Sequence, residues 1–443
     1  MNDINDLLMH LLSLNKKEIV IELKHVHPID LIDIFHMNQS NIVKQIVDKL
    51  PSEYLAKLLD FEEDQYKIVL FNLIDKKRHK KVLNHMLSNE LVDFIEILNE
   101  TDANYVKSLV NDDLDVNKLL SYKEDSAGSI MATEFINIYE SNTVLDTYHF
   151  LQTTLEENDM PYYLYITDKK NHLLGVIHIK DLLSSSFDKP IKDITNYQVT
   201  SINVNTDQEE VAYIFDKYDN LMLPVVDDDN VLVGVIGIDD IIDVYKEEMT
   251  EDIHRLAGID EDEKVDGKLF DSIKSRLPWL LVNMFTASIS AFVINYYSDT
   301  INTLVLLAAI NPIIAAMGGN VGNQSMTLIV RSLALKQINT HNALKIFLKE
   351  IRVGLLMGII LGLVLSIMIS VIFSNFYLGV IAGVAIVLNL VIAATIGFLV
   401  PITLTRLNID PALASSVFVT ATTDILGFLI FLSLATSTLE YLI

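Results

Sequence analysis

One carboxylate is unusual because of the apolar sequence around it. Asp424 lies in the run from Ser415 to Phe428 and is the only acidic residue within the long apolar runs of the C-terminal part. A charge at the centre of a bilayer costs about 2.5–3.5 kcal/mol on insertion scales. No Lys, Arg or His lies at a comparable depth to neutralise it. A buried protonated acid is one interpretation, but the pattern favours a water-filled cation path past Asp424.

A second polar segment interrupts another apolar run. Pro312 is followed by Gly-Gly-Asn-Val-Gly-Asn-Gln at positions 318–324. Lipid tolerates little irregular backbone, so we expect protein or water to cover this segment. Its glycines permit either close helix approach or a local break that frees carbonyl groups, and its amides add oxygen donors. A small-residue packing interface is the simpler alternative.

The residue types available in the apolar runs indicate the kind of cation. Magnesium prefers six oxygen ligands and loses water reluctantly, so one carboxylate per chain can hold a partly hydrated ion but cannot form a full cage. A two-fold dimer would supply two such carboxylates to one axial ion. The absence of Cys and His from these runs favours a hard cation, although oxygen ligands also accept manganese.

An acidic stretch from Asp239 to Asp266 precedes the first apolar run. Its carboxylates fall on one helical face and on the neighbouring face. They are Asp240, Asp243, Glu247 and Glu251 on the first face, and Glu248 and Asp252 on the second. A solvated linker helix is the ordinary interpretation of such a pattern. Its position directly before the first apolar run instead predicts a rigid acidic rod that transmits a signal.

The elements that must position these residues are five membrane spans. They are predicted at 278–297, 301–325, 351–374, 378–404 and 412–438, each long enough to cross a hydrocarbon core of about 30 Å. The chain opens without the basic start and long apolar core of a signal peptide, so we expect a cytosolic N-terminus. The Lys and Arg residues beyond Leu277 then fall in cytosolic loops, as the positive-inside rule requires. This predicts a multi-pass protein of the cell membrane with its C-terminus outside.

An internal repeat precedes the acidic stretch. Residues 173–183 (LLGVIHIKDLL) are echoed by residues 232–242 (LVGVIGIDDII), and each copy follows a turn around Asp168 or Asp227. A β-branched run through a glycine followed by an acidic residue predicts strand, strand, helix in both copies. Before the repeat, from Ile4 to about Val116, apolar residues recur at spacings of three and four, which predicts an array of short helices.

Composition excludes several classes of protein. The chain of 443 residues has a net charge of −26 and a positive mean hydropathy, which together indicate an acidic aqueous part and an apolar part. An acidic surface argues against nucleic-acid partners. Without cysteines the chain can form neither disulfides nor thiolate metal sites. We find no phosphate-binding glycine loop and no kinase or hydrolase signature, so we predict that the protein is not an enzyme and not an ATP-driven pump.

The repeat resembles a tandem CBS module, in which two copies pack face to face and sense nucleotides or ions. In many such modules a Ser or Thr after the Gly-Val-Ile strand reaches a ribose, but His178 and Gly237 hold those places here. ATP binding is therefore possible but doubtful.

The order of parts along the chain resembles the MgtE family of magnesium channels and transporters. The most specific features are Pro312 with Gly318-Gly-Asn320, the run from Thr250 to Arg255, and Asp410-Pro-Ala with Asp424. The resemblance implies a multi-domain membrane protein with five parts. These are a cytosolic α-helical superhelical domain at 1–125, CBS copies (α+β) at 126–188 and 189–250, a long connecting or plug helix at 251–276, and a five-span α-helical transmembrane domain at 277–443.

The resemblance also implies a homodimer whose pore lies on the dimer axis between the second and fifth spans. Asp424 would be the main pore ligand, helped by the backbone near Thr420 and by Asn320, and Asp410 is a further candidate metal ligand. Cytosolic magnesium would gate the pore by bridging acidic residues. The matching positions are Asp207, Glu209, Asp219, Asp240, Asp243, Glu248, Glu251 and Asp252. In the helical domain Asp93 fits the pattern, but Asn89 stands where a second acid is often found, so we expect a weaker bridge there.

Two alternatives remain open from the sequence. Transport could serve mainly cobalt, manganese or nickel instead of magnesium. Alternatively, the protein could be a non-conducting, membrane-anchored magnesium sensor, for which neither Asp424 nor the segment from Gly318 to Asn320 would be needed.

Overall fold

The apolar residues at spacings of three and four in the N-terminal part form short helices in the computed structural model. The structure describes residues 2–23, 26–110, 116–154, 162–260, 263, 265, 267–414 and 416–442. The chain divides into two compact units, Met1–Val244 and Tyr245–Ile443. The boundary between them falls inside one helix, α15 (Ile238–Ala257).

The N-terminal array confirms the helical prediction. Asn15 begins one of its helices with a capping box, accepting hydrogen bonds from the backbone N–H groups of Lys17 and Glu18. The inner faces share one apolar core that includes Leu31 and Phe94. The helices are α1 (Asn2–Ser13), α2 (Lys16–Glu22), α3 (Pro28–His36), α4 (Ser40–Val47), α5 (Ser52–Asp60), α6 (Asp64–Leu73), α7 (Lys76–Leu83), α8 (Ser88–Glu96), α9 (Glu100–Lys107) and α10 (Val116–Leu119).

The repeat folds as two matching α+β copies, as predicted. Each copy has a three-stranded sheet in which the first pair of strands is parallel and the second pair is antiparallel. The first copy contains α11 (Ala127–Ile130), β1 (Asn137–Tyr139), α12 (Val144–Thr154), β2 (Tyr163–Thr167), β3 (Leu173–His178) and α13 (Ile179–Leu183). The second contains β4 (Ile202–Asn203), α14 (Gln208–Tyr218), β5 (Met222–Val226), β6 (Leu232–Gly237) and α15.

The two copies meet at their equivalent hairpin turns. Asn171 and Asn230 have φ angles of +64° and +62°, a left-handed conformation that asparagine tolerates. Next to these turns the Leu173 N–H donates to the Asn230 carbonyl at 3.1 Å, and the Leu232 N–H donates to the Asn171 carbonyl at 2.9 Å. The sequence repeat is therefore also a reciprocal contact between the copies.

The connecting segment corrects one expectation. We predicted one continuous acidic rod, with a connecting helix at 251–276, but α15 ends at Ala257 and the next helix begins at Leu269. Gly258 causes the end: it has a φ of +71°, and the N–H groups of Gly258 and Ile259 close the helix on the Arg255 and His254 carbonyls. Of the predicted acidic stretch, residues 261, 262, 264 and 266 lie outside the described residues.

The second unit contains long helices. They are α16 (Leu269–Tyr296), the short α17 (Ser298–Thr303), α18 (Leu306–Ala334), α19 (Ala343–Ile372), α20 (Phe376–Arg406), a 3-10 turn (Pro411–Ala414), α21 (Ser416–Ser437) and α22 (Leu439–Leu442). Among the described residues, four helices are long and apolar enough to cross a membrane: α16, α19, α20 and α21. Helix α18 is as long but carries the polar segment, so the fifth span stays a prediction.

Glycines set the spacing of the bundle. The backbones of Gly354, Gly358 and Gly362, on one face of α19, lie against α20, where a Cβ at Gly358 would come within 2.9 Å of the Val387 Cα. Small residues at every fourth position let two helices approach closely inside a membrane. Of the two possibilities that the sequence left open for the glycines of α18, the structure has close packing: the helix runs unbroken from Leu306 to Ala334.

Candidate cation path and acidic clusters

Asp424 lies in the N-terminal half of α21 with its side chain half-buried. Neighbouring hydroxyls bond to their own helix, since Thr422 Oγ1 donates to the Phe418 carbonyl at 2.7 Å and Thr423 Oγ1 to the Val419 carbonyl at 3.0 Å. Within the described part of the chain, no hydrogen-bond donor or basic side chain pairs with the Asp424 carboxylate. Such a group in an apolar span needs a cation, water or a proton.

Helix α18 packs directly beside this part of α21. Asn323 Nδ2 donates a hydrogen bond of 3.2 Å to Thr420 Oγ1. A Cβ at Gly322 would lie 2.6 Å from Val419 Cγ1, so only glycine allows this approach. The polar segment of α18 and the threonines before Asp424 therefore form one polar contact, as expected if both line a path.

The contact identifies a residue that the sequence did not. Asn323 approaches Thr420, whereas the predicted ligand Asn320 is exposed in the single chain. Asn320 belongs to an exposed stripe on α18 with Pro312, Ala316 and Gln324, each four residues apart. Asn323 Oδ1 is buried and has no hydrogen-bond partner in the regions that the structure describes. Asn323 lies four residues after Gly319, which lies against Thr420, so both are on the same face of α18. This helical spacing is the sequence signal that could have identified Asn323.

The described residues of one chain do not assemble a metal cage. No group of three or more His, Asp or Glu side chains that could hold a metal ion is found among the described residues. The other acid deep in this unit, Glu350, is buried and already satisfied: Ser325 Oγ donates to it at 2.7 Å, and Lys349 Nζ lies 2.9 Å from its other oxygen. Unlike Glu350, the Asp424 carboxylate has no partner among the described residues of the bundle.

Three carboxylates surround one guanidinium at the end of α15. Arg255 pairs with Glu251, one turn earlier, and with Asp410, whose Oδ1 also accepts the Ala412 N–H at 2.8 Å. Burial raises the pKa of Asp252, and the charge of Asp410 adds to the rise, whereas Arg331 and Arg255 lower it. The cluster has more negative than positive groups, so a cation would be favourable there.

The end of α15 also packs against the bundle. Leu256 joins an apolar cluster with Met326 and Val330 of α18 and Val419 of α21. These are the helices that carry Asn323 and Thr420. A displacement of the end of α15 would therefore act on the same helix pair as the polar contact.

A second acidic cluster lies between α8 and the start of α15. Asp240 Oδ1 accepts a hydrogen bond of 2.9 Å from Asn89 Nδ2, and its Oδ2 accepts the Gly237 N–H at 2.8 Å. Burial raises the pKa of Asp240 to about 7; the Gly237 N–H opposes the rise, and the charges of Asp239, Glu90 and Asp243 add to it. Burial also raises the pKa of Glu90, which lies 3.5 Å from Lys67.

Asn89 is part of this acidic cluster. Asn89 Nδ2 donates to Asp240, and the charge of the adjacent Glu90 acts on the same carboxyl group. The weaker magnesium bridge expected at Asn89 stays a prediction. The charge of Asp243 adds to the rise in the Glu90 pKa. Asp93 lies one turn further along α8. The sequence did not single out Glu90.

The remaining predicted ligands have local roles or are dispersed. Asp207 caps the N-terminus of α14 by accepting the Glu209 N–H at 3.1 Å, and Asp219 ends α14 in a left-handed conformation with a φ of +51°. Glu209 lies in the first turn of the same helix, and Glu248 lies on α15. The structure therefore does not gather these four side chains into one site within the described residues.

A small cavity of about 190 Å³ lies between the CBS-like copies. Its lining includes His178, whose ring lies 4.6 Å from that of Tyr163, and Tyr165, whose buried hydroxyl has no partner in the described ranges. Pockets for drug-sized ligands are usually about 300–1,000 Å³. This cavity is smaller than that range, and ATP binding stays a prediction.

Three family models match the chain in sequence order. They are the MgtE intracellular N domain at residues 26–125, the CBS domain at 127–188 and 191–247, and the MgtE divalent cation transporter domain at 311–434.

Curated relatives match most of the chain. The magnesium transporter MgtE of Thermus thermophilus is 32% identical over 444 residues, covering 93% of this chain and 98% of that protein. The magnesium transporter MgtE of Bacillus subtilis is 28% identical and covers 93% of this chain and 92% of its own length.

Solved structures resemble about half of the chain. The soluble part of a magnesium transporter is 29% identical, covers 56% of this chain and 98% of that chain, and has a TM-score of 0.51. The cytosolic domain of the Mg²⁺ channel MgtE in complex with ATP is 28% identical, covers 50% of this chain and 92% of that chain, and has a TM-score of 0.48. Since the Thermus relative is matched along nearly its whole length, this chain belongs to the MgtE family of magnesium transporters.

Proposed function

We propose that this protein is a passive, magnesium-selective channel of the cell membrane in which Asp424 is the main ligand of the cation path. The observation that carries the proposal is the half-buried Asp424 carboxylate, which has no partner among the described residues of an apolar bundle. An ionised carboxylate in that position is stabilised by a passing or resident cation. A partly hydrated magnesium ion suits a site with a single charged oxygen ligand per chain.

A homodimer would complete the path. Thr420 and Asn320 are proposed as further ligands, and the exposed stripe of α18 that contains Asn320 offers a polar surface to a second chain. Around a two-fold axis the same surface is used twice, so two Asp424 carboxylates would face one axial ion. This arrangement gives α18, the long helix that carries the polar segment, a place away from lipid.

We propose five spans, with the N-terminus in the cytosol and the C-terminus outside. Arg331, Lys336, Lys345, Lys349, Arg352 and Arg406 would all lie in cytosolic loops, which supports this orientation. The membrane potential then favours cation entry by about 2.3 kcal/mol per charge per 100 mV, so flux needs no coupled reaction.

Cytosolic magnesium would close the channel by binding to the acidic clusters. Without magnesium, the carboxylates around Asp240 repel one another, and so do the carboxylates around Asp410. The repulsion within each cluster favours separation of the elements that carry it. A bound dication removes that repulsion and stabilises the packed arrangement, in which the end of α15 lies against α18 and α21. Regulation is therefore proposed to act through the α15 end.

Magnesium uptake into proteoliposomes tests the pore role of Asp424. We expect Asp424→Ala and the isosteric Asp424→Asn to remove most of the flux per reconstituted protein, because both remove the charge. Asp299→Ala is the matched control, since Asp299 is an exposed carboxylate of the same unit on α17. Undiminished flux in both Asp424 variants would refute the proposed path. Competition by manganese, cobalt and nickel in the same assay ranks the alternative ions.

A further inference from the structure

Asn389 is a polar side chain in the interior of the membrane unit. It lies on α20 and is 0% exposed. Its Nδ2 donates a hydrogen bond of 2.9 Å to the Ile314 carbonyl of α18. The hydroxyls of Thr395 and Thr403, on the same helix, bond instead to carbonyls of α20 itself. Asn389 therefore connects α20 to α18, which the threonines do not.

Two glycines on different helices make room for this amide. A Cβ at Gly318 of α18 would lie 2.3 Å from Asn389 Nδ2, and a Cβ at Gly427 of α21 would lie 2.9 Å from it. Gly318 lies two residues before Asn320, and Gly427 lies three residues after Asp424. Asn389 thus touches the backbones of both helices that carry the polar groups of the path.

Stability alone does not explain an amide at this position. Asn389 Oδ1 is buried and has no hydrogen-bond partner among the described residues. An unsatisfied buried acceptor costs free energy that an apolar side chain of similar size would avoid. An amide that leaves one buried acceptor unsatisfied, where an apolar side chain would leave none, points to a functional constraint at the meeting point of α18, α20 and α21.

We propose that Asn389 is a positioning residue for ion selectivity, holding α18 and α21 at the separation that suits a small, partly hydrated divalent cation beside Asp424. This inference rests on the cation path proposed above. A shorter side chain at 389 lets the two helices move toward α20 and widens the path on its other side. The barrier against a larger divalent cation falls, while the Asp424 carboxylate still attracts both ions.

The experiment measures the ratio of initial magnesium and calcium fluxes into proteoliposomes for Asn389→Ala and Asn389→Leu. The ratio does not depend on how much protein folds, so a merely structural role leaves it unchanged. We expect Asn389→Ala to lower the magnesium-to-calcium ratio several-fold. Gly427→Ala reaches the same contact from α21 and is expected to shift the ratio also if the Asn389 variants fold poorly.

A matched control and a second variant complete the design. Asn375→Ala removes a similar hydrogen bond, 3.1 Å from Asn375 Nδ2 to the Leu442 carbonyl, at the start of α20, and should keep the wild-type ratio. Gly318→Ala combined with Asn389→Ala fills the space left by the amide and should move the ratio back toward wild type. A wild-type ratio in Asn389→Ala and Gly427→Ala, with flux lost in Asp424→Ala, overturns this inference alone. Undiminished flux in Asp424→Ala overturns the path on which it rests.

Discussion

Single residues were predictable from the sequence where their type conflicts with their surroundings. Asp424 stands out because it is acidic in an apolar run, and the structure places it half-buried without a partner in the described part of the chain. Asn323 and Glu90 could not be singled out in this way. Asn323 is one of several amides in α18, and only packing against Thr420 distinguishes it. Glu90 is one acid among many, and only its closeness to Asp240 distinguishes it from the others.

Asp60 allows a prediction about pH and stability. Burial raises its pKa to about 7, Glu90 adds to the rise, and Lys67 and Lys57 oppose it. Because the pKa in an unfolded chain is near 3.9, the folded state holds the proton more tightly. Its contribution to stability is therefore full below about pH 4 and is lost as the pH rises through about 7.

We expect Asp60→Asn to raise the thermal midpoint of the magnesium-free protein, and to raise it more at pH 8 than at pH 5. A gain of about 2 kcal/mol would move the midpoint by roughly 4–8 °C. Scanning fluorimetry at both pH values measures it. Asp33→Asn, at an exposed carboxylate of α3, is the control. Equal midpoints for Asp60→Asn and wild type at pH 8 would contradict the assignment.

Elements were predictable where periodicity is strong. The repeat predicted strand, strand and helix in both copies, and apolar runs predicted the long helices. The sequence did not predict the end of α15, because acidic residues continue past it and only the left-handed conformation of Gly258 ends the helix. The sequence also did not decide whether the glycines of α18 break the helix or allow close packing. That choice depends on neighbours such as Val419, which a single helix cannot reveal.

Close packing of α18 on α21 is testable with two glycines of the same helix. A Cβ at Gly322 would lie 2.6 Å from Val419 Cγ1, whereas one at Gly319 would lie 3.4 Å from Thr420 Cγ2, an ordinary contact. We expect Gly322→Ala to destabilise the protein by about 1–3 kcal/mol through overpacking. Gly319→Ala should leave the thermal midpoint in detergent nearly unchanged.

Val419→Ala provides the rescue for that experiment. Combined with Gly322→Ala, it removes the methyl group against which the new Cβ collides, so the double variant should regain part of the lost midpoint. If Gly322→Ala and Gly319→Ala have the same midpoint, the close approach of the two helices is wrong.

At the scale of the whole molecule, charge and polarity are distributed unequally along the chain. The acidic residues concentrate before Leu277, and large apolar side chains remain exposed on α16 and α19. Those apolar faces suit lipid, whereas the side chains on the exposed stripe of α18 are smaller and more polar. A second chain is the occupant proposed for that stripe.

The proposed dimer predicts a specific cross-link. The chain has no cysteine, so a single introduced cysteine reports one position. We expect Asn320→Cys and Ala316→Cys to form cross-linked dimers under mild oxidation in membranes, because both lie on the stripe that is proposed to face the two-fold axis. Leu356→Cys, at an exposed apolar position of α19, should stay monomeric on denaturing gels. Equal cross-linking at all three positions would argue against the axis.

The central claim is a magnesium path that cytosolic magnesium closes, and single-channel recording with magnesium varied on the cytosolic side tests it most directly. We predict unitary currents carried by magnesium when cytosolic magnesium is low, and loss of openings as it is raised, since bound cations are proposed to hold the end of α15 in its packing against α18 and α21. Transport without unitary currents, or openings that do not respond to cytosolic magnesium, would contradict the account.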